Sequence, residues 1–236
     1  MNPKHILISG SSRGLGKEIA RLLQHEEHDV FTMGNETTEN VSISLNLLDE
    51  KATKEAISYH VANHGEIDIL ISNAGTGKLP QKALTSDERK SYFLDKNFIT
   101  ARNLIEASIP HMNRISSSIV GISSIVALKD IPGAPTEYAE SKRLLNKYFK
   151  EMAIMHAGKR IRFNVISPGN LQFPGSRWSE IQEENPEFVK ELLQDRVPLG
   201  SFISPEEIAA AVLFLSSNSG RNITGANLVI DGGQSI

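Results

Sequence analysis

Two periods of hydrophobic residues alternate along this chain. Short apolar runs recur at Lys4–Ser9, Val30–Met33, Val41–Leu45, Ile67–Ser72, Ser118–Ser123, Ile161–Ile166 and Asn227–Ile230. Their length and their Ile and Val content predict strands. Between them, apolar residues fall three and four apart over Leu15–Leu23, Asp49–His64, Ser86–Lys96, Thr100–His111, Thr136–Met155 and Pro205–Leu215. That spacing predicts helices. In Asp49–His64 the expected inner face is Ala52, Ala56, Ile57 and Val61. Ser204, with Glu207 three residues on, has the form of a capping box opening the last helix.

Strands alternating with helices call for a parallel sheet covered on both faces. Right-handed crossovers make it doubly wound. The expected fold is therefore α/β, with a seven-stranded, mainly parallel sheet flanked by helices on both faces in a single doubly wound domain spanning residues 1–236. One long irregular stretch, Pro168 to about Ser176, precedes a further helical segment. Together they suggest a substrate-lid insertion at about 170–196. In such a sheet, ligands bind beyond the carboxyl ends of the strands.

Composition narrows the possible functions. The chain has 236 residues, 39% hydrophobic and 22% charged, an ordinary globular balance. A net charge of −3 lacks the basic stripe that nucleic acid requires. With no cysteine, disulfides, thiolate metal sites and cysteine nucleophiles are excluded. No signal peptide is expected at Met1-Asn2-Pro3-Lys4-His5, and no apolar run approaches the ~20 residues of a membrane helix. The triplets Asn35-Glu36-Thr37, Asn40-Val41-Ser42 and Asn222-Ile223-Thr224 read as chance matches to the glycosylation signal, and the expected compartment is the cytoplasm. The histidines His5, His25, His28, His60, His64, His111 and His156 have no ligand spacing with nearby acids. They are expected at the surface or at helix ends, and no metal is expected.

Two features carry chemistry. Gly10, Gly14 and Gly16 stand between the first strand and the first helix. There the backbone can turn tightly, approach a pyrophosphate and offer it the free N–H groups of a helix start. Tyr138 and Lys142 stand four residues apart in a long helix, on one face. A phenol ordinarily titrates near ~10, too high for easy proton exchange at neutral pH. The ammonium, and any cationic group bound beside it, are expected to lower that pKa, so that Tyr138 exchanges a proton with a carbonyl oxygen or an alcohol.

The chain resembles the short-chain dehydrogenase/reductase family over nearly its whole length, and most closely its 3-oxoacyl-[acyl-carrier-protein] reductase-like branch. The likeness rests on Ser9-Gly10-x3-Gly14-x-Gly16, Ser72-Asn73-Ala74-Gly75, Asn97, Ile122-Ser123-Ser124, Tyr138-x3-Lys142, Ser167-Pro168-Gly169 and Ile223-Thr224-Gly225…Asp231-Gly232-Gly233. It implies a single dinucleotide-binding (Rossmann) domain over residues 1–236 and a catalytic set of Asn97, Ser124, Tyr138 and Lys142. In that set Ser124 orients the substrate oxygen, Lys142 also donates to the nicotinamide ribose, and Asn97 kinks a helix and holds a water that extends the proton relay. Ser124 lies 14 positions before Tyr138, one more than is usual, and Ser123 is the alternative.

The implied cofactor-binding set is Gly10, Ser12, Arg13, Gly14, Leu15, Gly16, Asn46, Leu47, Asn73, Ala74, Gly75, Tyr138, Lys142, Pro168, Gly169 and Leu171. Two departures stand out. Phe173 replaces the family's threonine near the carboxamide, and Asn46-Leu47 replaces the usual Asp-Val/Leu beside the adenine. The second strand carries no acid until Glu36, and Arg13 sits where NADP users carry a basic residue, so NADP(H) is expected over NAD(H).

The expected activity is hydride transfer between nicotinamide and a carbonyl or secondary alcohol. The first substrate expectation is a 3-oxoacyl thioester, carrier-bound or free, and the alternative a keto-sugar or other polar ketone. A reading of another class is a non-catalytic, cofactor-sensing binding protein. Phe173, Pro174, Trp178 and Phe188 could line an apolar lid, with Arg177 meeting an anionic substrate. The expected assembly is a homotetramer or homodimer.

Overall fold

The computed structural model describes residues 3–35, 39, 41–113, 115 and 117–236. Among these, seven strands form one sheet: β1 (His5–Ser9), β2 (Asp29–Gly34), β3 (Ile43–Ser44), β4 (Ile69–Ser72), β5 (Ser117–Ile122), β6 (Ile161–Pro168) and β7 (Asn227–Ile230). Every pairing is parallel, in the order β3-β2-β1-β4-β5-β6-β7. The winding reverses between β1 and β4, which opens a crevice at their carboxyl ends.

Eight α-helices among the described residues cover the sheet: α1 (Gly14–His25), α2 (Glu50–His64), α3 (Ser86–Leu94), α4 (Thr100–Ser108), α5 (Thr136–His156), α6 (Arg177–Glu184), α7 (Pro186–Arg196) and α8 (Pro205–Ser216). Successive strand residues face opposite sides, and β1 divides its side chains accordingly. Leu7 packs with Ile57 of α2, Leu104 of α4 and Phe149 of α5. Ile6 and Ile8 pack with Ile19 and Leu23 of α1 and Val212 of α8. The capping box at Ser204 and Glu207 forms as expected.

Several elements differ from expectation. β3 shrinks from Val41–Leu45 to two residues because it is an edge strand. Before it, Ser42 N–H donates to the Thr32 carbonyl (3.0 Å) and hydroxyl (2.9 Å) in place of a regular ladder. The helices expected at Ser86–Lys96 and Thr100–His111 are joined by a wide π turn, Asp95–Ile99. The stretch after Pro168 holds two helices, α6 and α7, with a small core of their own at Val189, Val197 and Phe202. Glu36, Thr37 and Asn40 lie outside the described residues. Among those described, no helix is long and apolar enough to cross a membrane.

The histidine expectation fails at His60. α2 buries Thr53, Ile57 and His60, while Ala52, Ala56 and Val61 are only half-buried. His60 lies beneath β1 and β2, with Phe31, His5 and His64 around it. His5 Nδ1 sits 2.9 Å from the Glu66 carbonyl, which can only accept, and His5 Nε2 lies 2.8 Å from His60 Nε2. Burial, reinforced by His5 and His64, pushes the His60 pKa down to about 4. His156 is buried too, at the end of α5 against Phe163.

Candidate active site

The glycine turn is pressed into the sheet. Gly10 has φ +68°, and a Cβ there would lie 2.7 Å from the Ala74 Cα. A Cβ on Gly16 would run into the Gly10 carbonyl oxygen and the Asn73 amide. Asn73 locks this approach: its amide donates to the Ser9 and Gly10 carbonyls at 3.2 and 3.0 Å. The Ser9 hydroxyl accepts from the Asn73 and Ala74 N–H groups, both at 3.2 Å. α1 then starts with no side-chain cap and no acid in its first turn. Its first N–H groups stay available to an anion. This backbone cradle, which a Cβ would fill, fits a dinucleotide pyrophosphate.

The chemical groups lie beyond the ends of β4 and β5. Ser123 and Ser124 follow β5, and Ser124 caps a short 3-10 turn, Ile125–Ala127. Its hydroxyl accepts from Val126 N–H at 3.4 Å and shares the cavity wall with the Tyr138 phenol. The Ser123 hydroxyl is buried without a partner among the described residues. On α5, Lys142 is buried and its ammonium donates to the Ile122 carbonyl at 2.8 Å. Gly75 is where the parts converge: a Cβ added there would lie 2.6 Å from Asn97 Oδ1 and 3.4 Å from Lys142 Nζ.

Asn97 occupies the π turn, fully buried. Its Oδ1 accepts from Thr76 N–H at 2.9 Å, and its amide donates to the Thr76 and Phe93 carbonyls at 3.1 and 3.0 Å. It braces the loop after Gly75 from behind and does not line the cavity.

The expected lowering of the phenol pKa by the neighbouring ammonium is absent. Burial pushes Tyr138 up, opposed only by the nearby Ser124 hydroxyl. Burial also takes the Lys142 pKa down, to about 8. Desolvation disfavours the charged form of each group, so near neutral pH the pair is phenol and ammonium, the forms suited to giving a proton.

One cavity of about 1060 Å³ joins the two halves. It is lined by Ser124, Tyr138, Lys142 and every expected cofactor-binding residue from Gly10 to Leu171. Arg13, within the glycine turn, and Asn35, just after β2, also line it. Phe173 crosses the glycine turn, its ring 3.8 Å from where a Gly14 Cβ would sit. The Asn46 side-chain oxygen accepts from Leu48 N–H at 3.2 Å, leaving its amide donors to the cavity.

A family profile described as enoyl-(acyl carrier protein) reductase matches residues 10–235. The chain belongs to the short-chain dehydrogenase/reductase family. A 3-oxoacyl-[acyl-carrier-protein] reductase of Thermotoga maritima is 31% identical over 98% of this chain and 97% of its own. An oxidoreductase of the family from Burkholderia thailandensis superposes with a TM-score of 0.82 at 28% identity, covering 99% of this chain and 93% of the other. An aldohexose dehydrogenase of Thermoplasma acidophilum gives 0.86 at 26% identity, covering 99% and 94%. The chain is thus an oxidoreductase of the NAD(P)-dependent dehydrogenase/reductase type.

Sequence reasoning missed part of the cavity wall. Thr76, Gly77 and Lys78 follow Asn73-Ala74-Gly75 directly, and Tyr92, Lys96 and Thr100 form a stripe four residues apart. The signal was there: a residue before Asn97 and the loop after Gly75 must border whatever those two border.

Proposed function

We propose that this chain is an NADP(H)-dependent reductase of a carbonyl compound, with a 3-oxoacyl thioester as the first substrate class. The observation that carries the reading is the meeting of Tyr138, Ser124 and Lys142 with the glycine turn in one cavity. A reduced nicotinamide bound along that cavity would supply hydride to the carbonyl carbon. Ser124 holds the carbonyl oxygen beside the phenol, and Tyr138 gives it the proton. Lys142 restores the charge balance and reaches the ribose hydroxyls, and Asn97 extends the relay from behind Gly75. Residues 1–236 act as one catalytic unit, with α6 and α7 as its lid.

Arg13 and Asn35 support NADP(H). A guanidinium beside a neutral amide suits a 2′-phosphate better than a bare ribose. The 3-oxoacyl choice draws on the T. maritima relative. The aldohexose dehydrogenase likeness favours a sugar or other polar carbonyl as the second reading. Exposed Leu144 and Ile154 on α5, Phe214 on α8 and Val229 on β7 support assembly through these faces, as a tetramer with a dimer as the alternative. The cytoplasm remains the compartment proposed.

NADPH oxidation with acetoacetyl and crotonyl thioesters and a panel of sugars is the direct test. Turnover of the acetoacetyl thioester is expected. Turnover of the enoyl thioester alone would replace carbonyl reduction by double-bond reduction. Cofactor binding without any turnover would favour the sensor reading.

A further inference from the structure

Among the described residues, the cavity wall contains Arg13, Lys78, Lys96, Lys142 and Arg177, and neither aspartate nor glutamate. A cleft lined by one sign of charge focuses its field on ligands of the other sign. Arg13 stands at the glycine turn, where the cofactor phosphates are read. Lys142 donates to the Ile122 carbonyl and, on the reading above, to the cofactor ribose. Three cations are left over, and a dinucleotide at the glycine turn does not call for them.

Two of the three are tethered to Asn97. Lys96 precedes it in the π turn. Lys78 lies two residues beyond Thr76, whose backbone Asn97 grips on both sides. The Thr76 hydroxyl in turn accepts from Lys78 N–H at 3.0 Å. Between Thr76 and Lys78, Gly77 lies against the phenol ring: a Cβ there would meet Tyr138 ring carbons at 3.2 and 3.3 Å. Lys78 therefore branches from the loop that roofs the proton donor. Neither lysine ammonium enters an ion pair among the described residues. Arg177 is different: Glu180 and Glu184 answer it at 3.5 and 3.9 Å, from outside the cavity.

Resting on the reductase reading above, we propose that the carbonyl substrate is itself an anion, and that Lys78 and Lys96 receive its phosphate or carboxylate group while the carbonyl lies on Ser124 and Tyr138. A compact ammonium on a flexible stem binds either oxyanion as a point charge. Neutral ketones fit the same chemistry but leave two cations unanswered.

The test uses one acetoacetyl group on three thiols: neutral N-acetylcysteamine, phosphopantetheine and mercaptoacetate. In the wild-type protein, kcat/KM is expected to be about tenfold or more higher for the phosphate or the carboxylate form than for the neutral one, as for one charge-assisted contact. The advantage should shrink as salt rises, and the two anionic arms identify which oxyanion is preferred. In the Lys78→Met/Lys96→Met double variant the anionic-to-neutral ratio should fall about tenfold, and in Lys78→Glu it should invert. Equal kcat/KM for all three thioesters, or a ratio unchanged in the double variant, overturns the proposal. So does a loss of NADPH affinity larger than the change in ratio, because the lysines then serve the cofactor. If no carbonyl is turned over, the reductase reading fails by itself. Calorimetric binding of phosphopantetheine and mercaptoacetate against N-acetylcysteamine, to wild-type and double-variant protein holding NADP, then decides the anion site alone. Equal binding by the two proteins sinks it.

Discussion

The floor of the cavity and the proposed lid are built in opposite ways. The floor takes Ser124 from the end of a central strand, Tyr138 and Lys142 from the longest helix, and it is braced by Asn97, the buried residue of the π turn. Its polar groups are fixed largely by backbone partners, such as the Ile122 carbonyl on Lys142 and the Thr76 and Phe93 carbonyls on Asn97. The lid, α6 and α7, rests on three buried residues, Val189, Val197 and Phe202, and leaves Leu199 80% exposed at its margin. Trp178 reaches from the lid into the cavity wall while its ring packs on Phe202, centroids 4.7 Å apart. A chemical step needs groups held to fractions of an ångström, and buried backbone bonds supply that. Choosing and releasing a substrate needs a unit that opens cheaply, and a core of three buried residues is the kind that would allow it.

The largest expected effect lies on the floor. Tyr138→Phe removes the proposed proton donor and little volume, so kcat should fall ~10²–10⁴-fold with NADPH binding nearly intact. Retention of more than about a tenth of the rate would take Tyr138 out of that role. At the nucleotide end, Arg13→Ala should raise the NADPH dissociation constant ~10–100-fold and that of NADH far less. Equal weakening of both, or a native preference for NADH, would overturn the cofactor assignment.

The lid is probed by Phe202→Ala. Proteolysis at residues 177–196 should quicken about tenfold while the melting temperature of the body shifts by only ~1–3 °C. A cooperative loss of the whole melting transition would mean that lid and body are one unit. Acid should act on the body from below. The His60 pKa is about 4 in the folded chain, against the 6.5 ordinary for a histidine side chain. The unfolded chain therefore binds more protons between these values. Stability present above pH ~6.5 should decline by ~1–3 kcal/mol as pH falls toward about 4. A His60→Asn variant that retains the full pH dependence in urea melts would acquit this histidine. The smallest effect is lid closure: NADPH should alter Trp178 emission and slow cleavage of residues 177–196 a few-fold. Unchanged emission, corrected for energy transfer to nicotinamide, with unchanged cleavage would make the lid a fixed wall.

What was legible in the sequence follows the same division. Apolar strands such as Ile69–Ser72 and the Tyr138–Lys142 spacing announce themselves, because a local period determines them. His60 did not, since its burial is decided by Phe31 and His5 on other elements. Lys78 and Lys96 did not either, because an unpaired lysine looks the same in sequence whether it faces solvent or a cavity. The lid helices were half visible: Pro186 and the cap Asn185 divide them, yet their apolar residues pair chiefly with one another and with Phe202.

The π turn has a consequence for how this chain tolerates insertions and deletions. Each α-helical residue advances about 100° around the axis. Removing one residue from Asp95–Ile99 would restore a regular helix and rotate everything after it by that angle relative to α3. Either Leu104 and Ile105 keep facing the sheet and Asn97 swings away from Thr76, or Asn97 stays and the α4 core face turns to solvent. The five residues thus act as a reading frame in three dimensions: substitutions within them act one at a time, whereas a change in their number is felt at once by the site and by the core.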